Sequence, residues 1–166
     1  MQNTKGPSVN DSPRSDGYGR TPVQKTALAV GVVFLLVGLA GFIPGITHPI
    51  DHLEGAGHDS GALLLGVFQV SVLHNILHLA FGVAGVAVAA RSRASRHFLI
   101  WGGVIYLVLW LYGLFAVSNP DINVVPVNDA DNWLHLGLGV GMLALGLLVP
   151  PRRHSRVSAS APRTAS

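Results

Sequence analysis

The stretch SVLHNILHLAFGVAG, residues Ser71 to Gly85, lies inside a run that has no Asp, Glu, Lys or Arg from Ser60 to Ala90. Crossing ~30 Å of hydrocarbon takes about 20 mainly apolar residues, so the run reads as a membrane-spanning helix. It nevertheless carries three hydrogen-bonding side chains, His74, Asn75 and His78. Asn75, His78, Gly82 and Gly85 follow one another at spacings of 3, 4 and 3, which places them on one helix face. Glycine admits a close backbone neighbour while Asn and His bond across the gap, which is how helices associate in lipid. That face is therefore expected to meet another helix.

Working outward, the rest of the chain has the same character. Its 166 residues have a mean hydropathy of +0.47, 11% charged residues and 20 glycines, too apolar and glycine-rich for an ordinary water-soluble domain. With no cysteine, disulfides, thiolate metal sites and thiol catalysis are excluded. Four uncharged runs are long enough to span: Thr26 to Ile43, Ser71 to Ala90, His97 to Val117 and Asn132 to Val149. The expected helices are about 26–43, 71–90, 98–117 and 131–149. All eleven Lys and Arg precede the first run, separate the second from the third, or follow the fourth. The other two connections hold six of the eight acids and no base. The positive-inside rule then makes both termini cytoplasmic, and the pI near 9.8 reports topology rather than a nucleic-acid partner. The basic leader is long, and Phe42-Ile43-Pro44-Gly45 at the end of the run lacks a small-residue cleavage pattern, so the first run is read as a retained span. Residues 1–24 and 150–166 are polar and Ser/Pro-rich and are expected to be disordered cytoplasmic tails around a membrane domain, 25–149. Phe98 and Trp101 suit the inner interface, and Trp110, Tyr112, Phe115 and Trp133 the outer one.

An internal offset of 57 residues lays VFQVSVLHNILHLAFGV, from Val67, over VVPVNDADNWLHLGLGV, from Val124, with eight of seventeen positions identical. The matches include Asn75 with Asn132 and His78 with His135, residue types that rarely coincide in a membrane span. The first and third runs align through GVVFLL, from Gly31, and GVIYLV, from Gly103, followed by Gly41 and Gly113. The expected fold is an all-α membrane protein of four transmembrane helices, arranged as two quasi-repeated hairpins with both termini inside. Ser71 and Asn128 align and are both N-cap residue types, which places the Asn/His pairs in the first two turns of helices two and four, near the outer face. Residues 62–70 are expected to extend helix two or to form a separate apolar segment, a short helix lying at the outer interface or packing back on the bundle. Tyr112 should reach a similar depth. Asp131, one turn above His135, is expected to offset a charge there, whereas His74 takes that place above His78 and would oppose one.

The runs GHDSGALLLGVFQVSVLHNILHLAFGVAG, GGVIYLVLWLYGL and NVVPVNDADNWLHLGLGVGMLALG resemble an uncharacterised family of small four-helix membrane proteins, widespread in actinobacteria and described only as a domain of unknown function. The likeness runs from about Lys25 to Val149. It implies a multi-pass plasma-membrane protein and supplies no activity, cofactor or catalytic residue.

The first reading of Asn75, His78, Asn132 and His135, with His74, Asp131 and Tyr112 around them, is an interhelical clasp. Each bond of this kind contributes about 0.6 to 2 kcal/mol in lipid, and no cofactor is needed. Intramembrane ionisable residues nevertheless point to function. The alternatives are a histidine pair ligating haem or a divalent metal, a proton-responsive sensor, and solute transport, for which four spans would require a homo-oligomer. The outer loop THPIDHLEGAGHDSG sets His48, His52 and His58 beside Asp51, Glu54 and Asp59 and reads as a solvated acidic loop. No phosphate loop, nucleophile elbow, zinc-protease motif or paired intramembrane carboxylate supports an enzyme. The expected partner is the lipid bilayer.

Overall fold

The computed structural model describes residues 17–150, and the expected tails outside that range lie beyond the described residues. The molecule is mostly helical. Helix α1, Pro22–Ala40, begins four residues before the expected 26 because Thr21 and Gln24 form a reciprocal capping box with Pro22 at the first helical position. Residues 17–21, read from composition as tail, fold back on the bundle: the Gly19 N–H donates to the Ala89 carbonyl (3.0 Å), and the Thr21 and Ser92 hydroxyls are 3.0 Å apart.

Helix α2, Val72–Val88, is capped by Ser71, whose Oγ accepts from the His74 N–H. Helix α3, Ser92–Ala116, starts at 92 rather than 98. Arg93 and Arg96 are good helix formers and occupy its first turns instead of a loop. Arg96 reaches the opposite helix end, donating from Nε to the Gly146 carbonyl (2.9 Å). Helix α4, Asp129–Leu148, is capped by Asn128 in a box with Asp131.

Three of these helices, α1, α3 and α4, are long and apolar enough to cross a membrane. At 17 residues α2 is shorter, about 25 Å long at 1.5 Å per residue. Large apolar side chains face outward along all four, among them Leu36, Ile76, Phe115 and Leu148. A surface of that kind suits lipid rather than water.

Residues 62–70 correct the helical expectation. They form an antiparallel meander with the segment after α1: β1, Thr47–His48, pairs with β2, Leu63–Leu64, which pairs with β3, Phe68–Gln69. Leu65 and Gly66, at φ 55° and 72°, reverse the chain in left-handed backbone, which a helix cannot contain. Ala62, Leu64 and Val70 bury against Val37 and Ala40, so the sheet caps the C-terminal end of α1. The fold remains mostly helical, four helices with this small sheet added.

Helix α1 lies along α2 and α3 along α4 in two antiparallel hairpins, with lighter contact between them. Glycine sets the approach in each. A methyl group on Gly31 would sit 2.8 Å from the Gly82 carbonyl oxygen, and one on Gly103 would sit 2.8 Å from that of Gly139. The hairpins meet around Phe34, Leu99, Tyr106 and Met142.

Candidate functional site

Asn75 and Asn132 do not join one cluster with the histidines; each closes its own hairpin. The Asn75 amide sits over Gly41 just past α1 and donates from Nδ2 to the Gly41 carbonyl (2.9 Å). Asn132 sits against Gly113 in the last turns of α3, and its buried Oδ1 has no partner among the described residues. Absence of a side chain at both glycines is what admits the amides.

The histidines occupy the seam between hairpins. His74 and His78 stack at 4.6 Å between ring centroids, and His135 stands 6.4 Å from His74. His78 Nδ1 lies 3.0 Å from the His74 carbonyl, and His74 Nδ1 lies 3.2 Å from the Pro126 carbonyl. Carbonyls only accept, so both Nδ1 atoms carry the proton. In neutral His78 this leaves Nε2 with a free lone pair. His135 Nδ1 is buried without a partner, and no bond joins His78 to His135 among the described residues.

His78 and His135 each lean on an aromatic ring of their own hairpin. Phe34 and His78 have centroids 5.4 Å apart, Tyr106 and His135 5.3 Å, and Phe34 meets Tyr106 at 5.5 Å across the seam. Tyr106 is 6% exposed, and its hydroxyl makes no hydrogen bond among the described residues.

Asp131 does not reach His135. Its Oδ2 accepts from the Asn128 N–H (3.0 Å) and from the Gln69 N–H (2.9 Å), which ties β3 to the start of α4. His74 makes the reverse link, from α2 to Pro126 ahead of α4. Tyr112 contributes its ring, while its hydroxyl donates to the Ile122 carbonyl and accepts from the Val124 N–H. In the connection between α1 and α2, His58 and Asp59 are 3.1 Å apart and exposed. No three His, Asp or Glu residues are grouped to hold a metal ion among the described residues.

The three histidines separate two cavities. The larger, about 240 Å³, lies between α2 and α3 and is walled by His74, His78, Phe81, Tyr106, Tyr112 and His135, with Leu77 and Ile105, each 49% exposed, at its edge. The smaller, about 100 Å³, lies under the sheet against Leu64, Phe68, Asp131 and Leu138. Tyr106 is the wall residue that the sequence reading missed. The signal was present: in the alignment of GVVFLL with GVIYLV it falls opposite Phe34, a hydroxyl placed where the other segment has none.

Two helical hairpins with outward apolar faces and a histidine-lined cavity between them define a membrane-type helical bundle. Within that class the chain belongs to the family described as Domain of unknown function (DUF4383), whose model matches residues 24–148. No curated protein and no solved structure matches it.

Proposed function

We propose that this is a plasma-membrane protein which binds a small uncharged molecule from the outer leaflet in the cavity between its hairpins. The observation that carries this reading is the buried His135 Nδ1 left without a partner in the cavity wall, beside a Tyr106 hydroxyl that no hydrogen bond holds among the described residues. A buried polar group without a partner costs about 1 to 3 kcal/mol, so a fold that keeps one beside an open cavity is best explained by a ligand that satisfies it. Leu77 and Ile105 set the mouth on the lipid side.

The sidedness and duplication of the bundle belong to the same proposal. The start of α1, the end of α2 and the start of α3 meet at one end, where Arg20, Lys25, Arg91, Arg93 and Arg96 cluster in sequence; that end is cytoplasmic by the positive-inside rule. Because α2 returns along α1 to that end, it spans with α1 despite its length. Support for two copies of one hairpin comes from contacts that recur at fixed offsets: Gly31 with Gly82 and Gly103 with Gly139, Gly41 with Asn75 and Gly113 with Asn132, Phe34 with His78 and Tyr106 with His135. A clasp role is favoured for Asn75, on its bond to Gly41.

Native mass spectrometry of the protein released from membrane discs tests the binding reading. A small molecule should accompany the wild type and be lost from a folded Ile105→Trp variant that plugs the mouth. Identical spectra would remove the cavity from consideration. Reporter fusions after Val149 and within 51–59 should be active only in cytoplasmic and external forms, respectively; an external C-terminus would overturn the orientation.

A further inference from the structure

We infer that the cavity selects a hydroxylated aromatic ring, a phenol or quinol head group, over its carbonyl or hydrocarbon counterpart. This rests on the reading of the cavity as a ligand site and adds the chemistry of the ligand.

Size sets the first limit. A cavity of 150 Å³ takes benzene, and drug-sized ligands occupy roughly 300 Å³ or more, so about 240 Å³ suits one or two rings. Charge sets the second. No Lys or Arg lines the space, and Asp131 borders the other cavity with its Oδ2 already bonded to two backbone N–H groups. A cation or an anion would enter without a counter-charge, so the ligand is neutral. The rings of Phe81, Tyr106 and Tyr112 offer faces and edges to an aromatic guest.

The polar atoms then decide between ring types. His78 Nδ1 is held by the His74 carbonyl, which leaves His78 Nε2 as an acceptor only; the Tyr106 hydroxyl can donate. A ligand hydroxyl has the chemistry to serve both, donating to His78 Nε2 and accepting from Tyr106 in the same cavity wall. A carbonyl oxygen can use only the tyrosine and leaves the imidazole lone pair unmet. A hydrocarbon meets neither. An apolar tail on such a head would leave past Leu77 and Ile105 into lipid.

The test uses the full chain in lipid nanodiscs and two probes of matched shape, 1-naphthol and 1-methylnaphthalene, with binding to protein-free discs subtracted. Saturable binding of 1-naphthol near one per chain is expected, with 1-methylnaphthalene weaker. Tyr106→Phe installs the side chain already present at Phe34, so it should fold, and it should weaken 1-naphthol roughly 3- to 10-fold, the range of one neutral hydrogen bond, while leaving 1-methylnaphthalene unchanged. His78→Phe should act in the same direction. If both probes bind equally and Tyr106→Phe changes neither, selection for a hydroxyl is wrong and only an apolar cavity remains. If neither probe saturates, or Ile105→Trp binds 1-naphthol as the wild type does, the cavity itself is not a ligand site.

Discussion

The hairpin of α1 and α2 and the hairpin of α3 and α4 make the same kinds of close contact yet differ at several of the polar groups they turn toward each other. Within each, a glycine pair brings the helices together, an asparagine sits over a glycine at the end where the two helices are joined, and a histidine rests on an aromatic ring. Between them, His74 faces the carbonyl of Pro126 while Asp131 takes the N–H of Gln69. Gln69 and Pro126 correspond under the 57-residue offset, as do His74 and Asp131. Proline has no N–H, so the residue facing it must donate to the carbonyl; glutamine offers an N–H, so the residue facing it can be an acceptor. Contacts inside a hairpin answer to the folding of that hairpin, whereas contacts across the seam answer to what the other hairpin presents. Difference between the hairpins therefore collects at the seam, and the cavity lies there too.

The largest expected effect breaks the cross-seam logic. His74→Asp sets a buried carboxylate against the Pro126 carbonyl and should destabilise the protein by about 3 kcal/mol, a buried acceptor left unmet. Pro126→Ala supplies an N–H, and the double variant should recover about 1 kcal/mol of that loss. Reversible unfolding in mixed micelles measures both. Strict additivity would mean that position 126 and position 74 do not communicate through that bond.

Next in size is a test of likeness inside the hairpins. Gly31→Ala and Gly103→Ala each drive a methyl group into the facing backbone and should each cost about 2 kcal/mol, the middle of the overpacking range. The two losses should agree to within about 1 kcal/mol. A large loss at one site and none at the other would show that the hairpins pack by different rules.

A smaller effect separates the asparagines. Asn75→Leu removes a bond to the Gly41 carbonyl and should cost about 1 kcal/mol, whereas Asn132→Leu removes an amide whose Oδ1 has no partner and should be close to neutral. Equal losses would place an unseen partner on Asn132.

Much of this was legible in the sequence, for physical reasons that also mark the limits. Uncharged runs of spanning length reveal helices because lipid forbids unpaired backbone, and the Asn/His spacing fixes their faces. Residues 62–70 were not legible: ALLLGVFQV is as apolar as a helix, and the reversal depends on Leu65 adopting left-handed backbone, which no propensity favours. Facing assignments told which helix side is polar but not which neighbour it meets, so Asn75 and His78 were grouped although the first bonds within its hairpin and the second lines the seam. Tyr106 escaped because a lone tyrosine in an apolar run resembles an interface residue until its depth is known.

The smallest expected effect is the most discriminating between fold and function. Tyr106→Phe removes a hydroxyl that bonds to nothing among the described residues, at a position 6% exposed where Phe34 shows that a phenyl ring fits the corresponding place. A structural hydroxyl would contribute about 1 kcal/mol through its bond; this one should change unfolding stability by less than about 0.5 kcal/mol in either direction, because the ring packing with His135 and Phe81 survives. The same variant should still alter ligand binding, which decouples the two roles in a single protein. A loss above about 1 kcal/mol would mean that the hydroxyl is held by the fold, making the hairpins alike at this position in function and different only in how each is braced.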